Sequence, residues 1–185
     1  MIACMTGVYR PAEDSELLLR HARPRFRDSV LDMGTGSGFL AVEAASDPRV
    51  DRVVAVDIDP DALDSARGWA GAAEVVVEIE FVLGDLFDGL EGERFDLIMF
   101  NPPYLPSEGD ADEPSWSGGA AGNEVILRFL DEACEHLNPD GDVLMIYSSE
   151  SGLALAEVDE KYSATILEEL PLFFERLYCV LLRPR

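Results

Sequence analysis

The turn at residues 31–38, LDMGTGSG, follows a short apolar run and precedes a helix-like segment. Glycines in such a turn let the backbone bend tightly and approach a ligand, and the amino terminus of the next helix offers free N–H groups. Because nicotinamide and flavin enzymes also carry a glycine-rich turn, this feature alone is weak evidence. The spacing here is GxGxG rather than GxGxxG, with Asp32 two residues before Gly34. The stretch predicts a ligand at the end of a first strand.

Outward from this turn, apolar β-branched runs alternate with helix-like segments, a pattern typical of a mostly parallel sheet covered by helices. We predict the α/β class: one doubly wound, Rossmann-like domain over residues 1–185, with a seven-stranded, mostly parallel sheet and an antiparallel C-terminal strand. The predicted strands are 29–32, 52–57, 74–83, 95–100, 143–148, 164–170 and 176–182, and the predicted helices are 13–21, 38–45, 60–70 and 123–137. Residues 102–122 form a long irregular stretch, which is often functional in compact domains.

Several classes of protein are disfavoured by composition. No stretch approaches the roughly 20 uninterrupted apolar residues of a membrane-spanning helix, and the first residues lack the pattern of a signal peptide. We therefore expect a cytoplasmic protein. The cysteines lie far apart without CxxC spacing and the only histidines are His21 and His136, so we predict neither a disulfide nor a metal site.

The charge balance is extreme, because 37 acidic residues face 14 basic ones and the net charge is −23. Such repulsion destabilises a compact state in dilute buffer, but it is screened at molar salt, where the Debye length is about 3 Å. The composition therefore predicts a halophilic, archaeal source. The alternative is a mesophilic protein with an acidic interaction face. Under the halophilic interpretation, acidity argues only weakly against a nucleic-acid substrate.

Acidic residues end successive predicted strands. Asp57 ends the second strand, where a carboxylate can accept both hydroxyls of a ribose, and Asp85 follows the third in the segment LGDL. Each acid alone could be a solvated strand end in an acidic protein. Together with Asp32 and the glycines Gly34, Gly36 and Gly38, they predict a nucleoside-containing cofactor.

The most specific motif is FNPPY at residues 100–104, directly after the fourth predicted strand. Its prolines fix φ and remove backbone donors, which makes the turn rigid. Asn101 and the Pro102 carbonyl can then accept the two hydrogens of a planar NH2 group, while the Tyr104 ring stacks on its face. This geometry selects an amide or an exocyclic amine. A plain proline-rich turn would explain the prolines but not the asparagine and tyrosine.

These motifs together resemble the archaeal and eukaryotic branch of the HemK-like release-factor glutamine methyltransferases. The resemblance rests on NPPY, the glycine turn, VYRPAEDS at residues 8–15, and WSGG at residues 116–119 with Gly122 and Glu124. It implies a class I methyltransferase fold with S-adenosylmethionine as cofactor and S-adenosylhomocysteine as product. It also implies methyl transfer to the side-chain amide nitrogen of the glutamine in the Gly-Gly-Gln loop of a class I release factor.

The resemblance further assigns site residues. The catalytic residues would be Asn101, Pro102 and Tyr104, and the substrate would contact Pro103, Trp116, Gly118 and Gly119. The cofactor would contact Tyr9, Glu13, Ser15, Asp32, Gly34, Gly36, Gly38, Asp57, Ile58, Asp85, Leu86 and Asn101. Within this set Asp32 would lie near the methionine end, and Asp85 would meet the adenine amino group with Leu86 packed on the ring. Arg10 departs from the family, in which an acid is frequent at this place.

A partner is implied as well: a small zinc-binding activator that forms a heterodimer with the catalytic chain. The third predicted strand is strongly apolar over residues 75–82 and is expected at the sheet edge, where strand addition can occur. The alternative is that neighbouring helices cover this edge.

Other functions remain open at this stage. A nucleic-acid amino methyltransferase would meet the same planar NH2, although the chain has no basic patch and no room for a target-recognition domain. A protein-lysine methyltransferase would have to deprotonate an ammonium, and NPPY supplies no obvious base. A non-catalytic binding module would not need an intact NPPY.

Overall fold

The computed structural model describes residues 13–103, 123–153, 158 and 161–185. The helices are α1 (Glu13–Ala22), α2 (Phe39–Ala45), α3 (Pro60–Ala72) and α4 (Glu124–Ala133), with single 3-10 turns at Arg23–Arg25 and Cys134–His136. The strands are β1 (Asp28–Met33), β2 (Val50–Asp57), β3 (Ile79–Leu83), β4 (Phe95–Phe100), β5 (Leu137–Ser148), β6 (Tyr162–Pro171) and β7 (Arg176–Pro184).

The described strands form one seven-stranded sheet in the order β3-β2-β1-β4-β5-β7-β6. Strands β1 to β5 pair in parallel, and β7 runs antiparallel to both β5 and β6. The predicted α/β fold with a single antiparallel C-terminal strand is therefore confirmed. Strand order reverses between β1 and β4, and ligands of doubly wound sheets bind outside the carboxyl ends of the strands at such a point.

The third strand is shorter than predicted. It covers Ile79–Leu83, whereas the apolar pattern predicted residues 74–83. The N–H groups of Val76 and Val77 instead donate to the carbonyl oxygen of Ala45 at the end of α2, at 2.8 and 3.1 Å. A run of β-branched residues can form either a strand or an irregular segment that caps a helix, so the sequence pattern alone could not distinguish these two structures.

Two other boundaries also differ. Helix α4 ends at Ala133, before a 3-10 turn, rather than at residue 137. Strand β5 begins at Leu137, well before the predicted residue 143. The segment between these positions contains a proline and a glycine, which led the sequence analysis to start the strand too late.

The core consists of two layers of apolar side chains, one on each face of the sheet. One layer joins α1 and α2 to residues such as Val30 and Val53, and the other joins α4 to residues such as Leu31 and Val54. Neighbouring residues of one strand thus serve opposite layers, as expected for a parallel sheet that is buried on both faces. None of the helices in the described part of the chain is long and apolar enough to cross a membrane.

Candidate active site

The glycine turn between β1 and α2 adopts backbone conformations that other residues rarely adopt. Gly34, Gly36 and Gly38 have φ values of +63°, +54° and +83°. A Cβ atom at Gly38 would lie 2.7 Å from the Cβ of Ala66 in α3, so a side chain there would separate α2 from α3. The predicted tight turn is present at the carboxyl edge of the sheet, and the predicted approach of its backbone to a ligand stays a prediction.

The carboxylate of Asp32 stabilises this turn through two hydrogen bonds. Its Oδ2 accepts a hydrogen bond from the Thr35 hydroxyl at 2.6 Å and another from the N–H of Ala41 at 3.0 Å. The side chain is 1% exposed, and burial raises the pKa of Asp32 from 3.8 to about 7. The structure therefore gives Asp32 a role in fixing the turn, and its predicted place near the methionine end of a cofactor stays a prediction.

Asp57 lies at the end of β2 beside the same turn. Its carboxylate accepts hydrogen bonds from the N–H of Gly36 at 2.8 Å and of Asp59 at 3.0 Å. Burial raises its pKa, while these backbone donors act in the opposite direction. The next residue, Ile58, leaves 55% of its surface exposed. An oriented carboxylate beside an open apolar side chain is a suitable surface for a ribose and a base.

Asp85 and Leu86 follow β3 on this edge. The N–H of Gly84 donates to the carbonyl oxygen of Asp57 at 3.1 Å, which brings the end of β3 next to the end of β2. A Cβ atom at Gly84 would lie 2.4 Å from the carbonyl oxygen of Asp88, so the sharp bend excludes a side chain. Leu86 is buried with a φ of +54°. The predicted succession of acids at neighbouring strand ends is present.

Arg128 of α4 forms an ion pair with Asp85, with its Nη2 2.8 Å from Oδ2. The sequence analysis did not select this arginine, because the two residues are 43 positions apart. The apolar face of α4 packs on the core, and Arg128 lies on the exposed side of the helix. The acid predicted to meet an adenine amino group thus already has a cationic partner.

The NPP segment begins where β4 ends, and aromatic packing holds it there. Phe100 lies against Phe129 of α4, with ring centroids 4.4 Å apart, and Phe129 stacks on Phe87 at 5.5 Å. Offset and tilted aromatic pairs of this kind stabilise a core beyond their buried area. The NPP segment therefore follows a rigid, well-packed strand end, and Pro102 is itself buried.

Asn101 and Ser15 meet at this edge. The Nδ2 of Asn101 donates to the Oγ of Ser15 in α1 at 3.3 Å. Its Oδ1 is, among the side-chain polar atoms of the described residues, the buried atom without a hydrogen-bond partner. An unpaired buried acceptor costs about 1–3 kcal/mol unless a ligand satisfies it. The amide is thus turned so that its oxygen, rather than its nitrogen, is left without a partner.

The remaining predicted site residues lie partly inside and partly outside the part of the chain that the structure describes. Glu13 is exposed at the start of α1, whereas its neighbour Asp14, which the prediction did not select, is buried and accepts a hydrogen bond from the N–H of Ser15 at 2.6 Å. Pro103 is half-buried beside Pro102. The predicted residues Tyr9, Tyr104, Trp116, Gly118 and Gly119 lie outside the described residues.

The fold and motifs agree with a family match: the model of the methyltransferase small domain matches residues 9–165. The chain belongs to the methyltransferase small domain family. This match confirms the predicted methyltransferase family, and the relatives described next confirm the predicted resemblance to glutamine methyltransferases. The predicted cofactor, S-adenosylmethionine, agrees with this family and with solved methyltransferases of similar fold that hold S-adenosylmethionine or S-adenosylhomocysteine.

Similar proteins carry names for glutamine methylation. The chain is 37% identical over 150 residues to a protein of Methanocaldococcus jannaschii named as an N5-glutamine methyltransferase. The aligned residues make up 78% of this chain and 74% of that protein. It is 39% identical to a release factor glutamine methyltransferase of Koribacter versatilis over 77% of this chain. The chain spans 52% of the length of that bacterial relative.

A solved structure with a similar fold is that of the E. cuniculi Mtq2–Trm112 complex, described as responsible for methylation of the eRF1 translation termination factor. The similarity has a TM-score of 0.74 with 27% sequence identity, and it covers 96% of this chain and 98% of the matched chain.

Proposed function

We propose that the chain is the catalytic subunit of an S-adenosylmethionine-dependent protein methyltransferase that modifies the glutamine side-chain amide in the Gly-Gly-Gln loop of a class I release factor. The observation that carries this proposal is the Oδ1 of Asn101, which is buried, unpaired among the described residues, and oriented by Ser15. An acceptor prepared in this way suits a neutral donor such as an amide NH2. The names of the related proteins agree with this substrate.

The residues of the carboxyl edge fit the cofactor. Asp57 offers an oriented carboxylate for the ribose hydroxyls, and the exposed Ile58 offers an apolar surface for the base. The left-handed turn of Gly34 to Gly38 leaves the backbone free to approach a ligand. When bound there, the cofactor supplies an electrophilic methyl group on a sulfonium centre.

The protein's task in the reaction is to orient a poor nucleophile. The lone pair of an amide nitrogen is delocalised, so two hydrogen bonds from its NH2 group, to Asn101 and to the Pro102 carbonyl, would increase the electron density on nitrogen. Holding donor and acceptor in line can lower the barrier by as much as about 7–11 kcal/mol. After transfer the surplus proton passes to water, because a protonated N-methyl amide is a strong acid.

The charge of the chain is only a weak argument for a protein substrate over a nucleic acid, because a halophilic protein is acidic whatever its substrate. A net charge of −23 opposes the phosphate backbone, which DNA- and RNA-binding proteins contact with clusters of Lys and Arg. Arg128, which lies near the site, is already paired with Asp85. A nucleic-acid amino methyltransferase is therefore the second candidate, and the substrate test below includes it.

We also assign the activator to the edge strand β3. Strand β3 is an edge strand of the sheet, so one side of its backbone can pair with a strand of another protein. Leu83 of this strand and Val76 just before it are exposed large apolar residues; Val76 is 66% exposed. The partner surface is shorter than the sequence analysis expected, because only Ile79–Leu83 is a strand. The small zinc-binding protein implied by the family resemblance is the proposed occupant.

The proposal is tested by methyl transfer at high salt from labelled S-adenosylmethionine, with the activator present, to a release factor that carries Gly-Gly-Gln or Gly-Gly-Asn. We expect label on the first protein and none on the second, and mass spectrometry should place one methyl group on the glutamine. Label on added RNA or DNA, with none on the release factor, would support the second candidate instead.

A further inference from the structure

The tip of the β6–β7 hairpin carries two adjacent phenylalanines with nearly complete exposure. Phe173 and Phe174 are 91% and 88% exposed, and their rings contact each other edge to face with centroids 4.6 Å apart. They are the two central residues of the connection between β6 and β7 at residues 172–175, which is closed by a hydrogen bond from the N–H of Leu172 to the carbonyl oxygen of Glu175 at 2.8 Å. Neither ring belongs to the core layers.

Turn formation does not explain these residues. The two central residues of a tight hairpin turn are most often glycine, asparagine or aspartate, because the preferred turns need positive φ values there. Neither phenylalanine has a positive φ. Each ring would gain about 1.5–3 kcal/mol if it were fully buried. An exposed aromatic pair that serves neither turn nor core is typical of a binding surface.

The hairpin tip lies on the same edge of the sheet as Asn101. Phe100 is level with Met145 of β5, and Ser148, further along β5, is level with Leu177 of β7. Strand β6 runs parallel to β5, so its end at Pro171 points to the carboxyl edge. With strand spacings of about 4.8 Å and a rise of about 3.3 Å per residue, the tip lies on the order of 20 Å from Asn101.

The surroundings of the tip limit what can bind there. Glu169 beside the hairpin turn is paired with Arg176, whereas Glu175 has no cationic partner among the ion pairs of the described residues, so the tip carries no net positive charge with which to attract a phosphate backbone. The proposed activator edge, β3, is at the opposite end of the sheet from β6. These features favour an uncharged or basic apolar protein surface that is presented to the active-site edge.

We infer that Phe173 and Phe174 dock the folded body of the protein substrate, on an apolar patch outside its Gly-Gly-Gln loop. This inference rests on the proposed function, because it names a second contact for the same release factor. Docking at this distance selects a whole protein over a short peptide: seven residues centred on glutamine reach only about 10 Å to either side. The hairpin is thus a specificity determinant rather than part of the reacting group.

The test uses the full chain with its activator and compares F173S/F174S with wild type on two substrates, the intact release factor and a seven-residue peptide centred on the glutamine. We expect KM for the intact protein to rise about tenfold or more, as for aromatic hot spots, with kcat/KM for the peptide within about twofold. The matched control is I166S, which removes an exposed apolar side chain from β6; its KM should not change. F173N/F174G, with a favoured turn sequence, should behave like F173S/F174S if the rings are what binds.

The outcomes separate the two proposals. An unchanged KM for the release factor in both double variants, with active wild type, would overturn docking alone. Absence of label on the release factor with wild type would overturn the proposed function and the docking with it. Loss of activator co-purification, or loss of RNA binding in place of release-factor binding, would assign the hairpin to another partner and overturn the inference.

Discussion

The side chain of Asn101 donates a hydrogen bond from Nδ2 to the Oγ of Ser15 at 3.3 Å, so helix α1 sets the orientation of the amide at the end of β4. Without that acceptor the amide could rotate and present Nδ2 where a substrate donor needs an oxygen. Ser15 does not itself have to touch the substrate. Under the proposed function Ser15 acts as a positioning residue.

S15A should therefore lower kcat while leaving the protein folded. We expect a loss of about five- to thirtyfold, which corresponds to about 1–2 kcal/mol for one hydrogen bond that fixes a reacting group. S15T keeps the hydroxyl and should restore most of the rate. Steady-state kinetics with the release factor checks this, and equal losses in S15A and S15T would show that packing, rather than the hydroxyl, matters.

The ion pair between Asp85 and Arg128 leads to a second prediction. If the carboxylate of Asp85 contacts the cofactor base, D85A should weaken S-adenosylmethionine binding by about tenfold, whereas R128A should change it by less than about threefold, because an exposed ion pair contributes about 0–1 kcal/mol. Isothermal titration calorimetry measures both. Equal weakening in the two variants would mean that Asp85 acts only through its arginine.

Burial of Asp32 leads to a prediction about pH. Its pKa is raised to about 7 in the folded chain from 3.8, so the folded state holds a proton that the unfolded state has lost between these values. This contribution to stability is complete below pH 3.8 and declines as pH rises towards about 7. D32N, whose side-chain oxygen can still accept from Thr35 and Ala41, should lack this decline.

The measurement is urea unfolding of wild type and D32N from about pH 4 to 8 at constant high salt, since other carboxylates titrate in both proteins. The difference in unfolding free energy between the two should shift by a few kcal/mol in favour of D32N as pH rises. A difference that is independent of pH would contradict the assignment of a protonated Asp32.

The acidic surface leads to a prediction about salt. Between about 0.1 and 3 M KCl, Tm should rise by on the order of 10 °C, as screening relieves repulsion. Near pH 4, close to the isoelectric point of about 4.1, the rise should be much smaller. A Tm that is flat or falls with salt at pH 7 would contradict the proposed halophilic source.

The local parts of the site could be predicted from sequence because each motif contains its own geometry. The turn at Gly34 to Gly38, the acids Asp57 and Asp85 and the NPP segment lie at the ends of adjacent strands, as the α/β alternation indicated. The contact of Ser15 with Asn101 joins residues 86 positions apart. No periodicity or motif spacing reports such a pairing.

The errors also have a physical cause. Val76 and Val77 are β-branched and apolar, which is typical of a strand, yet their N–H groups bind the end of α2. Phe173 and Phe174 fall between the predicted strands 164–170 and 176–182 and were not selected as site residues, and only the structure shows that both rings project into solvent. In each case tertiary contacts, rather than residue type, decided the outcome.

The most direct measurement of the central claim is the single-turnover rate of methyl transfer to the release factor glutamine by N101A, with activator and saturating cofactor. If the Oδ1 of Asn101 accepts the amide hydrogen, the rate should fall by about 100- to 1000-fold, as when one preorganised hydrogen-bond partner is removed from a reacting group, with Tm unchanged. A rate close to that of wild type would contradict the assignment of Asn101 as the group that orients the glutamine.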